Sequence, residues 1–223
     1  MGQCKFKNEK SNDIKEEEKI HKNNFNLKYA IGKGGFGKVF KVEKKGRDEI
    51  FAMKEMSKVK IHEKSSIASI KNERMLLAVL KHPFIINMHY AFQNKDFLYI
   101  VMDYLSGGDL RYNICKFKKF SEEQAKFILS CLILALEYLH NNSIIHRDIK
   151  PENMVFDSKG YVYLTDMGIA KLVNPSKEII DSSGTPGYMA PEVITNKDHS
   201  FPTDYYAIGV MLHEFMMLKV SIN

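Results

Sequence analysis

No apolar run in this 223-residue chain approaches the roughly 18 residues that span a bilayer, so a membrane-crossing helix is not expected. Cysteine is scarce. Cys4, Cys115 and Cys131 show neither paired nor metal-type spacing, which argues for free thiols in a reducing compartment, here the cytoplasm. The chain also lacks a basic block. Its formal net charge of +6 is spread along the length, reads as a solvated lysine-rich surface, and gives no reason to expect a nucleic-acid partner. The opening stretch lacks the apolar core of a secretory signal. Residues 1–24 are rich in Lys, Glu and Asn and almost without apolar periodicity, so they read as a disordered arm, with at most a frayed helix around Lys15 to His21. No internal repeat is visible. With 44% hydrophobic and 27% charged residues, the composition is that of an ordinary globular chain, long enough for one large domain or two small lobes.

From Phe25 the pattern changes. Phe25 to Ile31, Gly37 to Glu43 and Glu49 to Met56 alternate with period two and read as three antiparallel strands. Ser66 to Leu80 carries Ile67, Ile70, Leu77 and Leu80 at helical spacing, and His82-Pro83 closes that helix. Phe84 to Phe92 and Phe97 to Asp103 read as two more strands. Ser121 with Gln124 forms a capping box for a long helix to Leu139. Two short strands, Met154 to Phe156 and Tyr161 to Leu164, flank a turn at Asp157-Ser158-Lys159-Gly160. Asp166 to Glu192 has turn chemistry and little periodicity, and Asp204 to Leu218 is a strongly apolar helix. The fold class is therefore α+β, strand-rich first and helix-rich second.

Gly32-Lys33-Gly34-Gly35-Phe36-Gly37-Lys38-Val39 reads G-x-G-x-x-G-x-V. Glycines let backbone N–H groups approach phosphates with no Cβ in the way. A dinucleotide-binding fingerprint needs a helix directly afterwards, whereas Val39-Phe40-Lys41-Val42 alternates like a strand. Taken alone, the stretch also fits a flexible hairpin. Phe51-Ala52-Met53-Lys54 follows and resembles the V-A-I-K of protein kinases, with Lys54 as the phosphate-binding lysine. The next helix offers Glu73 as its ion-pair partner, and Glu63 as a weaker one.

His146-Arg147-Asp148-Ile149-Lys150-Pro151-Glu152-Asn153 matches H-R-D-L-x-x-x-N except for Ile at the leucine position. Asp148 would orient a substrate hydroxyl and accept its proton, Lys150 would sit near the γ-phosphate, and Asn153 would give an oxygen to Mg²⁺. In protein kinases, whose catalytic loop this run resembles, a lysine at the position of Lys150 marks the serine/threonine type. Asp166-Met167-Gly168 resembles D-F-G with Met for Phe. Asp166 keeps the metal-bridging carboxylate, while Met167 is a softer anchor than Phe.

These motifs, with Gly184-Thr185-Pro186-Gly187-Tyr188-Met189-Ala190-Pro191-Glu192, resemble the protein kinase superfamily over residues 25–219. Asn72-Glu73, His82-Pro83-Phe84 and the G-T-P-x-Y run look like the AGC group, and Gly107-Gly108-Asp109-Leu110-Arg111-Tyr112 with Met1-Gly2 looks most like its YANK subgroup. The resemblance implies a bilobal fold with an N-lobe at 25–102, a hinge at 103–105 and a C-lobe at 106–223. ATP would lie in the cleft with Mg²⁺. Gly32 to Lys38 would cover the phosphates. Ile31, Val39, Ala52, Met102 and Val155 would sandwich adenine, and the backbone of Asp103 and Leu105 would hydrogen-bond it. Leu77, Met88, Met167 and His146 would stack on Asp204 as a spine. Asp109 and Glu152 would hold an arginine upstream of the phosphorylated Ser or Thr of a protein substrate, Asp109 also being placed for the ribose.

Asp181 occupies a position where many AGC kinases carry a phosphorylated Thr or Ser, so its carboxylate would give Arg147 a standing negative charge, with Ser182 and Ser183 as neighbouring phosphosites. Gly2, Cys4, Lys5 and Lys7 suggest an acylated start and reversible membrane association, although Phe6 stands where the strict motif wants Ser or Thr. Compared with the family, the sequence stops before the last C-lobe helices and before the Arg that pairs with Glu192. The long helices would then expose apolar faces. The active serine/threonine kinase accordingly has one rival reading, a truncated and non-catalytic scaffold that still binds ATP.

Overall fold

The computed structural model describes residues 20–173 and 180–217. Gly2 and Cys4, where acylation is expected, lie outside them. A five-stranded antiparallel sheet is built from β1 (Phe25–Lys33), β2 (Gly37–Lys44), β3 (Ile50–Ser57), β4 (Met88–Gln93) and β5 (Phe97–Asp103), in the order β1-β2-β3-β5-β4. Two helices, α1 (Lys58–Glu63) and α2 (Ile67–Val79), join β3 to β4. The central strand β3 buries both faces, and period two decides what each face carries. Phe51 and Met53 join Phe25, Val42, Tyr99 and Val101 in an aromatic-rich cluster on the outer face. Ala52 and Met56 face the main core with Ile100 and Met102. Lys54 lies between Ala52 and Met56 in that series, so the register aims it at the main-core side.

The second half is helical. It comprises α3 (Leu110–Phe117), α4 (Glu122–Asn141), α5 (Pro191–Ile194) and α6 (Pro202–Met217), with two small sheets made by β6 (Ile144–Ile145) with β9 (Lys171–Leu172) and by β7 (Met154–Phe156) with β8 (Val162–Leu164). The capping box read from sequence is present. Ser121 Oγ accepts from Gln124 N at 3.2 Å, and Ser121 N donates to Gln124 Oε1 at 2.9 Å. From that start α4 buries Ala125, Ile128, Leu132, Ala135, Leu136 and Leu139 at spacings of three and four, against α6 residues that include Met211 and Phe215. Large apolar side chains also remain exposed on both helices, among them Phe127, Ile133 and Leu134 on α4 and Tyr205, Leu212 and Met217 on α6.

Several boundaries differ from those expected, each for a local reason. The segment from Phe84 is not one strand with β4. Leu164 N donates to Phe84 O and Ile86 N to Leu164 O, so this stretch pairs with β8 of the helical lobe and the sheet strand starts only at Met88. Helix α1 was not foreseen. It is six residues long, capped by Ser57, and buries only Ile61. Helix α3 was also unforeseen: it is eight residues long, and its stripe of Leu110, Ile114 and Phe117 covers only two turns. Ile67, expected on the apolar stripe of α2, is exposed, and Leu76 is buried in its place. The arm is ordered over its last residues. Lys22–Asn24 form one 3-10 turn, Ile20 packs on the outer aromatic cluster, and Lys22 Nζ reaches Glu55 Oε2 at 2.5 Å. Ile20 and His21 are not helical.

Candidate active site

A cleft of about 420 Å³ opens between the sheet and the helical half, lined by Gly34 to Val39, Lys54, Glu73, Asp148 and Asp166 among others. Its roof is the glycine hairpin. Gly34 N donates to Gly37 O at 3.0 Å, and Lys33 pairs with Lys38 as β1 turns into β2. The hairpin is strand–turn–strand, as the alternation after Gly37 requires. Gly37 has to be glycine because a Cβ there would stand 1.9 Å from Glu55 O on the neighbouring strand.

Lys54 Nζ meets Glu73 Oε1 at 2.6 Å, and both side chains are largely buried, at 23% and 4% exposure. Burial alone would lower the ammonium's pKa. Glu73 and Asp166 outweigh it and hold Lys54 above its ordinary value, firmly protonated. Glu63, the weaker candidate, ends α1 on the surface. Ser69, Asn72 and Glu73 share one face of α2 at helical spacing. Ser69 Oγ donates to Gly168 O at 2.7 Å and Asn72 Nδ2 to Ala170 O at 2.6 Å. The same helix face therefore grips the segment after Asp166 while presenting Glu73 to Lys54. Sequence reasoning gave Ser69 and Asn72 no role, although their spacing from Glu73 was the available signal.

On the floor, Asp148 is held from three sides. Thr185 Oγ1 donates to its Oδ1 at 2.6 Å, and Asn153 Nδ2 donates to its Oδ2 at 3.0 Å. Lys150 Nζ stands 2.8 Å from Oδ2 and also reaches Thr185 Oγ1 at 2.7 Å. Burial pushes the Asp148 carboxyl up, but Lys150, Thr185 and Asn153 together hold it below the usual carboxylate range. Thr185 is a further site residue to which the sequence reading had assigned nothing.

The backbone that carries these groups is itself pinned. Asp204, buried at 1% exposure, accepts from His146 N at 2.9 Å and Arg147 N at 2.8 Å, with His140 Nε2 at 2.8 Å. Arg147 and Asp166 both adopt left-handed backbone, φ 70° and 60°, conformations that cost non-glycine residues on the order of 1–3 kcal/mol each and persist only where neighbours enforce them. Gly168 N donates to Asp166 Oδ1 at 3.0 Å, and the Asp166 carboxylate is exposed in the cleft. Asn153 spends its amide N–H on Asp148, which leaves its Oδ1 as an acceptor beside it. One carboxylate and one amide oxygen suit a small hard cation that takes its other ligands from phosphates and water. Among the described residues no cluster of three His, Cys, Asp or Glu offers a cage for a metal on its own.

The residues expected around adenine are only partly gathered. Ala52 and Met102 are cross-strand partners at the back, and Val155 bridges to Asp109 below. Ile31, at 41% exposure, and Gly32 sit on the open end of β1. Asp103 N is committed to Asn87 O at 3.1 Å, and its carboxylate is held by Asn87 and His89. Asp103 and Leu105 line a separate outer hollow. Leu77, Met167 and His146 are buried and Met88 packs on their core, with His146 on Asp204 as expected.

Asp109 and Glu152, expected to hold an upstream arginine of a substrate, each have a partner within the chain. Asp109 Oδ1 caps α3 through Tyr112 N at 2.7 Å, and Glu152 Oε1 accepts from Arg111 Nε at 2.7 Å. Neither lines the cleft. Asp181, by contrast, lies where the resemblance put it. Its Oδ2 is 2.5 Å from Arg147 Nη1 and its Oδ1 accepts from Ser183 Oγ at 2.6 Å, while Arg147 Nε donates to Ile169 O at 2.7 Å. Glu192 is half-buried and has no cationic partner within 4.0 Å among the described residues.

Residues 25–222 match the protein kinase domain family. The chain is 42% identical over 207 residues to a probable serine/threonine-protein kinase of Dictyostelium discoideum, covering 92% of this chain and 45% of that protein. It is 39% identical over 204 residues to a RAC family serine/threonine-protein kinase homolog of the same organism, covering 91% and 46%. It is 38% identical over 206 residues to human serine/threonine-protein kinase 32B, covering 90% and 50%. The chain spans at most half the length of these relatives. The glycine hairpin, the Lys54–Glu73 pair, the clamped Asp148 and the match along residues 25–222 agree: this chain belongs to the protein kinase family.

Proposed function

We propose that the chain is the catalytic domain of a serine/threonine protein kinase that moves the γ-phosphoryl group of ATP to a Ser or Thr hydroxyl of a protein. One observation carries the reading: a single cleft faces Lys54, Glu73, Asp148 and Asp166 at once beneath a glycine hairpin. Lys54, kept protonated by Glu73, would hold the non-transferred phosphates. Asp166 and the free oxygen of Asn153 would hold Mg²⁺, which supplies neutralisation of phosphate charge. Asp148 works chiefly by orientation. A carboxylate with a depressed pKa is a weak base, so it accepts a hydrogen bond from the incoming alcohol and takes the proton late, as that oxygen turns acidic on bonding phosphorus. Lys150 lies beside it to meet the moving charge.

The finer placement, AGC group and most like the YANK subgroup, rests on Gly107 to Tyr112 and on the G-T-P-x-Y run. We read Asp181 as a built-in substitute for an activating phosphate, ordering the segment through Arg147. Transfer of labelled γ-phosphate to a pool of Ser- and Thr-containing peptides tests the activity, with Asp148→Asn as control. Nucleotide binding with no transfer to any peptide would refute it.

A further inference from the structure

Arg111, in the first turn of α3, lies between two carboxylates beside the acceptor site. Its Nε donates to Glu152 Oε1 at 2.7 Å, and its Nη2 donates to Tyr188 OH at 2.5 Å and to Glu214 Oε2 at 3.3 Å. Its Nη1 contacts Glu214 Oε1. Tyr188 OH donates to Glu214 Oε2 at 2.7 Å. Every guanidinium nitrogen is committed. Glu214, on α6, is 3% exposed, whereas the Glu152 side chain is 45% exposed.

The cluster is tied to the reacting end of the cleft twice. Glu152 belongs to the same loop as Asp148, and Tyr188 follows closely on Thr185, which donates to Asp148. A peptide whose hydroxyl reaches Asp148 therefore runs past these groups. A buried carboxylate next to a half-open one is a natural seat for a guanidinium, which offers a planar fork to both. Here the fork is supplied from within the chain.

We propose that Arg111 is the resident occupant of the Glu152–Glu214 pair, so that this kinase does not select a substrate arginine there, and that Arg111 is the residue setting this specificity. The inference rests on the kinase reading for its peptide substrate. The outer oxygen of Glu152 stays open to solvent, and a single exposed ion pair contributes little selection.

Two readouts keep the two ideas separable. Peptides with one Ser acceptor and Arg or Ala scanned through the preceding five positions are compared by kcat/KM for transfer. The same peptides are compared by Kd from fluorescence polarisation, which does not need turnover. In the wild-type chain the Arg-to-Ala ratio should stay within about threefold at every position. Arg111→Leu should raise it tenfold or more at one position, and adding Glu152→Gln should cancel that gain. Should Arg111→Leu fail to fold for want of a partner for Glu214, Glu152→Gln alone decides, and the wild-type ratio should not change. A wild-type preference above tenfold that falls with Glu152→Gln would overturn the proposal, as would folded Arg111→Leu with wild-type ratios. Absence of transfer with the expected Kd pattern would sink the proposed activity while supporting Arg111 as occupant.

Discussion

Replacing Asp181 by Asn preserves shape and removes the charge that holds Arg147. The Arg147 side chain is 10% exposed and that of Asp181 35%, so the pair is half-sheltered. Two unit charges about 4 Å apart are worth ~4 kcal/mol at an effective dielectric of 20. Screening on the open side of Asp181 cuts that to about 1–2 kcal/mol, close to the net value of a hydrogen bond to a charged group. A loss of this size changes the ordered-to-disordered ratio of a segment roughly 5–30-fold. Amide hydrogen exchange over residues 180–190 should show protection falling by that factor, with peptide kcat/KM falling and ATP affinity unchanged. The pH dependence adds a second arm. Ser183 and then Arg147 hold the Asp181 carboxyl below its ordinary range. Its contribution is therefore fully present above the unfolded value of about 3.9 and is lost as pH falls through the lower folded value. Protection should thus be flat from pH 7 to 5, an interval in which a phosphate with a second pKa of about 6 would shed charge. Unchanged exchange in Asp181→Asn, or protection that decays between pH 7 and 5 in the wild type alone, would refute the reasoning.

Three other outcomes follow from the geometry. Thr185→Val removes a hydroxyl that bridges Asp148 and Lys150, so kcat for peptide phosphorylation should fall on the order of 10-fold to 10²-fold with ATP affinity preserved, as measured by steady-state kinetics and nucleotide titration. Gly37→Ala places a Cβ against Glu55 O, which forces β2 from β3, so thermal melting should drop and ATP affinity with it. Asp204→Asn loses one of the acceptors that pin His146 N and Arg147 N. A cost of about 2–4 kcal/mol is expected, read as a melting temperature lower by roughly 4–16 °C.

The chemistry of the cleft was legible because phosphate approach, metal binding and hydroxyl orientation each demand a fixed residue type at fixed spacing. Gly37, Lys54, Asp148, Asn153 and Asp166 were read in that way and meet at one place or beside it. Helix α1 escaped because it turns one buried side chain, Ile61, toward the core and leaves no apolar stripe to detect, and α3 because its stripe of Leu110, Ile114 and Phe117 is only two turns long. The stretch after Pro83 looked like a continuation of β4 because alternation does not say which partner takes the hydrogen bonds, and here Leu164 takes them. The seat of Arg111 was hidden for a different reason. Its contact with Glu214 joins residues 103 positions apart, and no local pattern signals it. A reading of Asp109 and Glu152 alone therefore leaves out the cation that α3 brings to Glu152.

The most direct measurement is single-turnover transfer of γ-phosphate from Mg-ATP to a Ser/Thr peptide pool, run beside nucleotide titrations on the wild-type chain, Asp148→Asn and Asp166→Asn. The wild type should bind and transfer. Asp148→Asn should keep nucleotide affinity and lose transfer by about 10²-fold or more, and Asp166→Asn should lose both transfer and the Mg²⁺-dependent part of binding. Transfer by Asp148→Asn at the wild-type rate, or a wild-type chain that binds ATP and phosphorylates nothing, would contradict the assignment.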